Sequence, residues 1–186
     1  MSEALVGQIR RQAENNALSN HRLLTACVQL DHAAFVATRT SFFPSIHLTL
    51  DHIYCVDVYY LDTMEENGRG RAAFDREPAF ETFAPLDEAQ RASDRRLIAF
   101  CDRLAAADIE RTVTMFRYDG SRPRERIGDI LQHLFVHQIH HRGQVHAMLA
   151  GTSVPPPQLD EYFLAMDGPL VDADRAALAA VRARAL

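Results

Sequence analysis

Apolar residues recur every three or four positions along most of the chain, which is the spacing of one face of an α-helix. The first such stretch covers residues 5–30 and predicts one long or interrupted helix. The second covers residues 46–64. Ser41 is its predicted N-cap, Pro44 falls in its first turn, and Gly68 marks its end.

Two further helices are predicted later in the chain. A loop runs to Pro85, and the pair Asp87 and Gln90 then forms a capping-box pattern that opens a third helix. The fourth predicted helix covers residues 124–150, with Gly151 just beyond it.

The remaining segments are shorter. Residues 112–118 favour a strand and precede the tight-turn pair Asp119-Gly120, which predicts a small β-hairpin before the fourth helix. In the tail, a short segment at residues 160–166 and an alanine-rich helix from Asp172 are expected. Four long amphipathic helices with little strand predict an all-α helical bundle. The length suits a single domain over residues 1–186.

The amino-acid composition excludes lysine-dependent chemistry and argues against one class of partner. The chain has nine histidines and a net charge of −5, and every one of its 20 basic residues is arginine. Without lysine it has no ammonium group for a Schiff base, for pyridoxal phosphate or for a phosphate-binding loop. The acidic balance argues against a nucleic-acid partner, because duplex binding needs clustered positive charge.

The cysteines and the apolar runs predict a location. Cys27, Cys55 and Cys101 are far apart and odd in number, so we expect buried, reduced thiols and no disulfide framework. Residues 1–12 hold no apolar run of signal-peptide length, and no segment reaches the roughly 18 apolar residues that a bilayer span needs. The sequence therefore predicts a cytoplasmic protein with no membrane partner.

Five of the nine histidines lie in the fourth predicted helix. His137 and His141 are four residues apart, so their side chains share one face and could hold one metal ion. His133 extends that face by a turn, and the pair His133 and His137 is formally as good. Because this face continues the apolar positions, the rings are expected inside the bundle, as metal ligands or as hydrogen-bonded core histidines.

A third ligand is expected from another helix. His52 is the best candidate, because it lies one position off the apolar stripe of the second predicted helix and has small neighbours on its face. His47, in the first turn, is expected to be more exposed. Three histidines leave a coordination position open for water or substrate, as in catalytic sites. Gln138 stands where proteases of the H-E-x-x-H type have their glutamate base, so no peptidase is predicted.

Two stretches resemble a known family. The segment HQIHHRGQ at residues 137–144 resembles the H-Q-x-H-H-R-G-Q signature of the DinB family. The segment RTSFFPSIHLTLDH at residues 39–52 resembles that family's second-helix motif. Residues 15–24 are similar to its opening helix, and the resemblance covers most of residues 10–160.

The resemblance implies an up-down-down-up four-helix bundle that forms a homodimer. It also implies a divalent metal ion, nickel or zinc, held by His52, His137 and His141. Some relatives resemble thiol-dependent transferases and isomerases, in which the metal activates a low-molecular-weight thiol toward a small electrophile. The alternative is a non-catalytic metal-binding or stress-associated bundle protein.

The sequence also leads to predictions for four other residues near the histidines or in the family motifs. Arg142 is expected either to pair with an anionic substrate or to lie exposed on the surface. Gln144 is expected to hydrogen-bond within the helix or to orient a ligand. Asp51 and Val136 differ from the asparagines common in the family at those positions, which predicts altered surroundings of the metal.

Overall fold

The computed structural model describes residues 3–75 and 78–183, and over these residues the chain is mainly helical. The α-helices are α1 (Glu3–Cys27), α2 (His32–Val36), α3 (Ile46–Met64), α4 (Phe83–Arg103), α5 (Ile127–Leu149) and α6 (Gly168–Ala183). Short 3₁₀ helices lie at Gly70–Phe74 and Ala165–Asp167, and an antiparallel pair of strands is formed by β1 (Thr112–Thr114) and β2 (Arg124–Arg126).

The helices α1, α3, α4 and α5 form the bundle, and side-chain contacts between helices give their directions. Arg10, early in α1, donates to the backbone carbonyl of Leu104 at the end of α4 (3.0 Å). Asn20, late in α1, donates to Asp94 in the middle of α4 (2.8 Å). Residue numbers rise along one helix as they fall along the other, so α1 and α4 are antiparallel.

The remaining directions follow in the same way. Gln90 of α4 donates to Asp57 of α3 (2.8 Å), and Arg96 donates to Glu65 (2.8 Å), so α3 and α4 run parallel.

Helices α3 and α5 are antiparallel. The ring of His52 lies beside that of His137, and the ring of Tyr60 lies beside that of His133. In chain order the bundle is therefore up-down-down-up, and the predicted fold class is confirmed.

The predicted first helix is interrupted. Helix α1 ends at Cys27, and Asp31 begins α2 by accepting a hydrogen bond from the backbone N–H of Ala34 (2.7 Å). The predicted cap of the next helix was wrong. Ser45, and not Ser41, caps α3, because its hydroxyl accepts from the backbone N–H of Leu48 (3.1 Å).

Three other boundaries differ from the prediction. Helix α4 begins at Phe83, so Asp87 lies inside it and pairs with Arg91 (2.9 Å) instead of capping it. Helix α5 begins at Ile127, because the preceding three residues pair with β1 in the predicted hairpin. Helix α6 begins at Gly168, before the expected Asp172.

The core consists of two apolar clusters, one toward each end of the bundle. One contains Leu61, Leu97 and Leu131, and the other contains Leu24 and Val145. Between them, at the middle of each long helix, buried polar side chains replace the apolar ones. The three cysteines are buried and none of them is in a disulfide, as expected.

Candidate metal centre

Three of the predicted residues meet between α3 and α5. One ring nitrogen from each of His52, His137 and His141 lies within 4.8 Å of the other two. The Nε2 atoms of His52 and His137 are 3.2 Å apart. Two nitrogens bound to one tetrahedral ion at about 2.05 Å would be about 3.3 Å apart, so the three imidazoles suit such an ion.

The protonation of these rings favours metal binding. Burial, together with the neighbouring imidazoles, lowers the pKa of His137 to about 3. Burial also lowers the pKa of His141, against the opposing effect of the hydrogen bond that its ring donates to Gln144. A neutral imidazole has the free lone pair that a metal needs, so both rings are ready to bind at neutral pH.

The sequence left two histidine pairs open as metal ligands, His133 with His137 and His137 with His141, and the structure distinguishes them. His133 lies outside the group of three: its ring packs against Tyr60 (5.4 Å between centroids) and is 6.3 Å from the ring of His137. The expectation for His47 was wrong. It is buried, and its Nε2 lies 2.6 Å from the backbone oxygen of Phe80, which fixes the loop before α4.

One aromatic ring packs against the histidines. The ring of Phe43 lies 4.2 Å from that of His52 and 5.7 Å from that of His141, measured between centroids. Phe43 precedes α3, so it reaches the histidines from the connection between α2 and α3. Sequence analysis did not single it out, because a phenylalanine before a helix carries no signal of what it will cover.

Gln144 orients one of the three rings. Its Oε1 lies 2.8 Å from Nδ1 of His141, and its Nε2 lies 3.2 Å from Nε2 of His140. An amide oxygen only accepts, so it selects the tautomer of His141 with a proton on Nδ1 and a lone pair on Nε2. The predicted hydrogen bonding of Gln144 within the helix is therefore present.

Gln144→Leu should weaken metal binding by about 10–100-fold, because the leucine cannot hold the tautomer or the ring orientation of His141. Gln144→Glu keeps an acceptor at the same place and should retain most of the affinity. Competition for Zn²⁺ with a chromophoric chelator measures both. Equal losses in the two variants would contradict this role for the amide oxygen.

Comparison with known families agrees with these features. The model of the DinB family matches residues 1–169. The chain belongs to the DinB family. No curated protein matches the sequence significantly. The family resemblance drawn from the two histidine motifs is thus confirmed, and both motifs lie within the matched range.

Helical periodicity divides the DinB signature among three faces of α5. His137, His141 and Gln144 face the side of α3. Gln138 and Arg142 point into the bundle, where they are 0% and 4% exposed. The rest of the signature faces outward. One motif thus contributes both to the candidate metal centre and to the middle of the core.

The expectation that Arg142 lies exposed on the surface was wrong, because its side chain is buried. Its pairing with an anionic substrate stays a prediction. Its guanidinium donates to the amide oxygens of Asn20 (3.0 Å) and Gln138 (2.9 Å), and to that of Asn16. The amide N–H groups then donate to carboxylates: Asn20 to Asp94 (2.8 Å) and Gln138 to Asp57. Side-chain amides thus connect a buried positive charge to two buried carboxyl groups.

This network joins all four long helices, and sequence analysis missed it. Its members are all buried: Asn16 and Asn20 from α1, Asp57 from α3, Gln90 and Asp94 from α4, and Gln138 and Arg142 from α5. Burial is the main cause of the shifted titration. It raises the pKa of Asp57 to about 6 and that of Asp94 to about 7, and it lowers the pKa of Arg142 to about 10.

The raised pKa of Asp94 makes stability depend on pH. The folded chain holds this proton up to about pH 7, whereas the unfolded chain releases it near pH 3.8. The stability contributed by the group is therefore full below about pH 4 and is lost as pH rises to about 7. As pH rises from 5 to 8, the stability of Asp94→Asn relative to that of the wild type should increase by on the order of 2–3 kcal/mol.

Urea unfolding at both pH values measures that gain. Asp102→Asn, an exposed position on the same helix, is the control and should follow the wild type. If Asp94→Asn also follows the wild type, Asp94 is not protonated in the folded chain at pH 5.

The two departures from the family motif do not touch the histidine group. The carboxylate of Asp51 accepts backbone hydrogen bonds from Ala79 (2.8 Å) and Phe80 (3.0 Å), and so fixes the loop before α4. Val136 is 54% exposed on the outer face of α5. The expected effect on the surroundings of the metal was therefore wrong.

Among the described residues, no helix has both the length and the apolar character to cross a membrane.

Proposed function

We propose that the chain binds one divalent metal ion, nickel or zinc, through His52, His137 and His141. The observation that supports it is the approach of three ring nitrogens, from two helices, to within 4.8 Å of one another. Three protein ligands leave a position for water or substrate, and a divalent ion in such a site acts as a Lewis acid and stabilises a thiolate.

We further propose that the site serves transfer to, or isomerisation of, a small electrophile with a low-molecular-weight thiol. The chain's own thiols favour an external one. Cys27, Cys55 and Cys101 are buried, and burial raises the pKa of Cys27 and of Cys101 to about 12. Cys27 and Cys101 are therefore not ionised at neutral pH, and none of the three thiols is accessible, so we expect the thiolate nucleophile to come from a separate molecule.

An activity screen tests this function. The zinc- or nickel-loaded protein is mixed with glutathione, cysteine or 2-mercaptoethanol and with 1-chloro-2,4-dinitrobenzene as electrophile. For any combination that the wild type accelerates, His52→Ala should return the rate to the uncatalysed value, and His32→Ala, on α2, should keep it. Acceleration that survives in His52→Ala would overturn the proposal.

The position of the histidines also favours a second candidate, a non-catalytic ion. One ligand lies on α3 and two lie on α5, so a bound ion would tie these helices together. Such an ion adds its binding free energy to that of folding. A large fall in the melting midpoint with chelator, in a protein without thiol-transfer activity, would favour this candidate over the enzyme.

We also propose that residues 1–186 form one domain. Its support is that α6 packs on the bundle: Arg22 of α1 pairs with Asp174 of α6 (2.7 Å). A cytoplasmic location stays a prediction from the sequence.

A further inference from the structure

A cavity of about 480 Å³ lies between α1, α5 and the segment 158–163. Its size falls within the range of about 300–1,000 Å³ that is usual for small-molecule sites. Helix α5 turns by about 100° per residue, so the residues that it contributes to the cavity lie roughly opposite His137 and His141. They include Ile139, Gly143 and His146. The cavity is therefore separate from the candidate metal centre.

The wall of the cavity opposite α5 is held in place by side chains of α1. Ser19 donates to the backbone carbonyl of Leu159 (3.1 Å), and Arg11 donates to that of Phe163 (3.2 Å). Leu159 and Phe163 line the cavity, together with Ile139 of α5, which is 56% exposed. The cavity thus presents a fixed apolar surface on which a ligand can pack.

A buried arginine lines the same cavity from inside the bundle. Arg142 is 4% exposed. Within the described residues its three hydrogen bonds all leave from Nη1, and their acceptors are the neutral amide oxygens of Asn16, Asn20 and Gln138. The N–H groups on Nε and Nη2 remain to donate to a ligand. They lie on one edge of the guanidinium, and such an edge holds a carboxylate by two parallel hydrogen bonds.

Gly143 gives a second, independent observation on the cavity. Glycine is among the least favourable residues inside a helix, so a packing or functional requirement usually accounts for it. Within the part of the chain that the structure describes, a β-carbon built on Gly143 meets nothing within 4 Å beyond its own stretch of helix. The packing of the chain therefore does not require this glycine. A larger side chain would extend into the cavity, so the glycine keeps that space open for a bound molecule.

We propose that this cavity binds a small monocarboxylate with an apolar body, at a site distinct from the metal centre. The carboxylate pairs with Nε and Nη2 of Arg142. The body packs on Ile139, Leu159 and Phe163. Asp160 also lines the cavity and is exposed, so it repels a second negative charge and favours a ligand that carries only one.

Isothermal titration calorimetry of the full chain with octanoate tests the ligand class. Octanoate should bind with a submillimolar Kd. Octanamide has the same body without the charge and should bind at least about 10-fold more weakly, because it loses the charge-assisted hydrogen bonds. His52→Ala should bind octanoate as the wild type does, because the site does not involve the metal. Equal binding of the two compounds, no binding of octanoate at about 5 mM, or its loss in His52→Ala would overturn the proposal.

The pairing with Arg142 has a test that leaves the buried network intact. His146 is the other basic residue that lines the cavity. His146→Ala should keep the octanoate Kd within about 3-fold of the wild-type value, because the carboxylate is held by the arginine. A loss of about 10-fold or more in His146→Ala would overturn the pairing with Arg142.

Two further variants of α5 test the place of binding. Gly143→Leu should raise the octanoate Kd by at least about 10-fold, because the leucine side chain occupies the space of the ligand. Its melting midpoint should equal or exceed that of the wild type, because leucine favours a helix more than glycine does. Val136→Leu enlarges an exposed side chain two turns earlier, outside the cavity lining, and should leave the Kd unchanged. A folded Gly143→Leu that binds octanoate as tightly as the wild type would overturn the assignment to this cavity.

Discussion

Arg142→Met should lower the free energy of unfolding by about 3–5 kcal/mol, the largest effect on stability that we expect from a single substitution. Methionine fills most of the volume of the arginine but carries no charge. In the wild type, side-chain amides connect the Arg142 guanidinium to the carboxyl groups of Asp57 and Asp94. The substitution leaves these two carboxyl groups without a nearby positive charge. Buried charges without a partner are strongly unfavourable. Urea unfolding at pH 7.5 measures the loss.

Two further variants test the explanation. Arg103→Met removes an arginine that is 65% exposed on α4, and it should cost less than about 1 kcal/mol. The triple variant Arg142→Met, Asp57→Asn and Asp94→Asn leaves a neutral network and should recover about half or more of the loss. If the triple variant is less stable than Arg142→Met, electrostatic compensation is not the reason for the loss.

His137→Ala should abolish metal binding at ordinary concentrations. It removes one of three ligands and leaves His52 and His141 to hold the ion, which should weaken binding by more than about 100-fold. Mass spectrometry of the untagged protein after loading and desalting should find about one ion per chain in the wild type and less than about 0.1 in the variant.

His146→Ala is the matched control, because it removes a histidine from the same helix outside the group of three. It should keep the full metal content. Helical circular dichroism should be unchanged in both variants, because alanine favours a helix. Full metal content in a triple variant of His52, His137 and His141 would refute the assignment of the site.

The sequence predicted the helices better than their ends. A helix interior repeats its apolar spacing over several turns, so α3 and α5 were clear. A helix start depends on one or two local contacts. Ser41 and Ser45 are equally suitable caps by residue type, and only the position of the backbone showed that Ser45 is the one that meets a free N–H.

The candidate metal centre was largely predictable, for a physical reason. Histidines four apart on one helix share a face whatever the helix packs against. His52 lies one position off the apolar stripe of α3, so its side chain points to the space that His137 and His141 also face. Phe43 was not predictable in this way, because its contact with the rings depends on the path of the chain before α3.

The sequence by itself thus determined an all-α bundle, the four long helices that form it, and the three histidines that meet between α3 and α5. Only the tertiary structure decided the role of Arg142. An arginine on a helix is almost always solvated, and its burial becomes favourable only when amides from α1 and α5 and carboxyl groups from α3 and α4 surround it. Those partners lie as many as 126 residues away along the chain. No local spacing records them, because they are neighbours only once the four helices have packed.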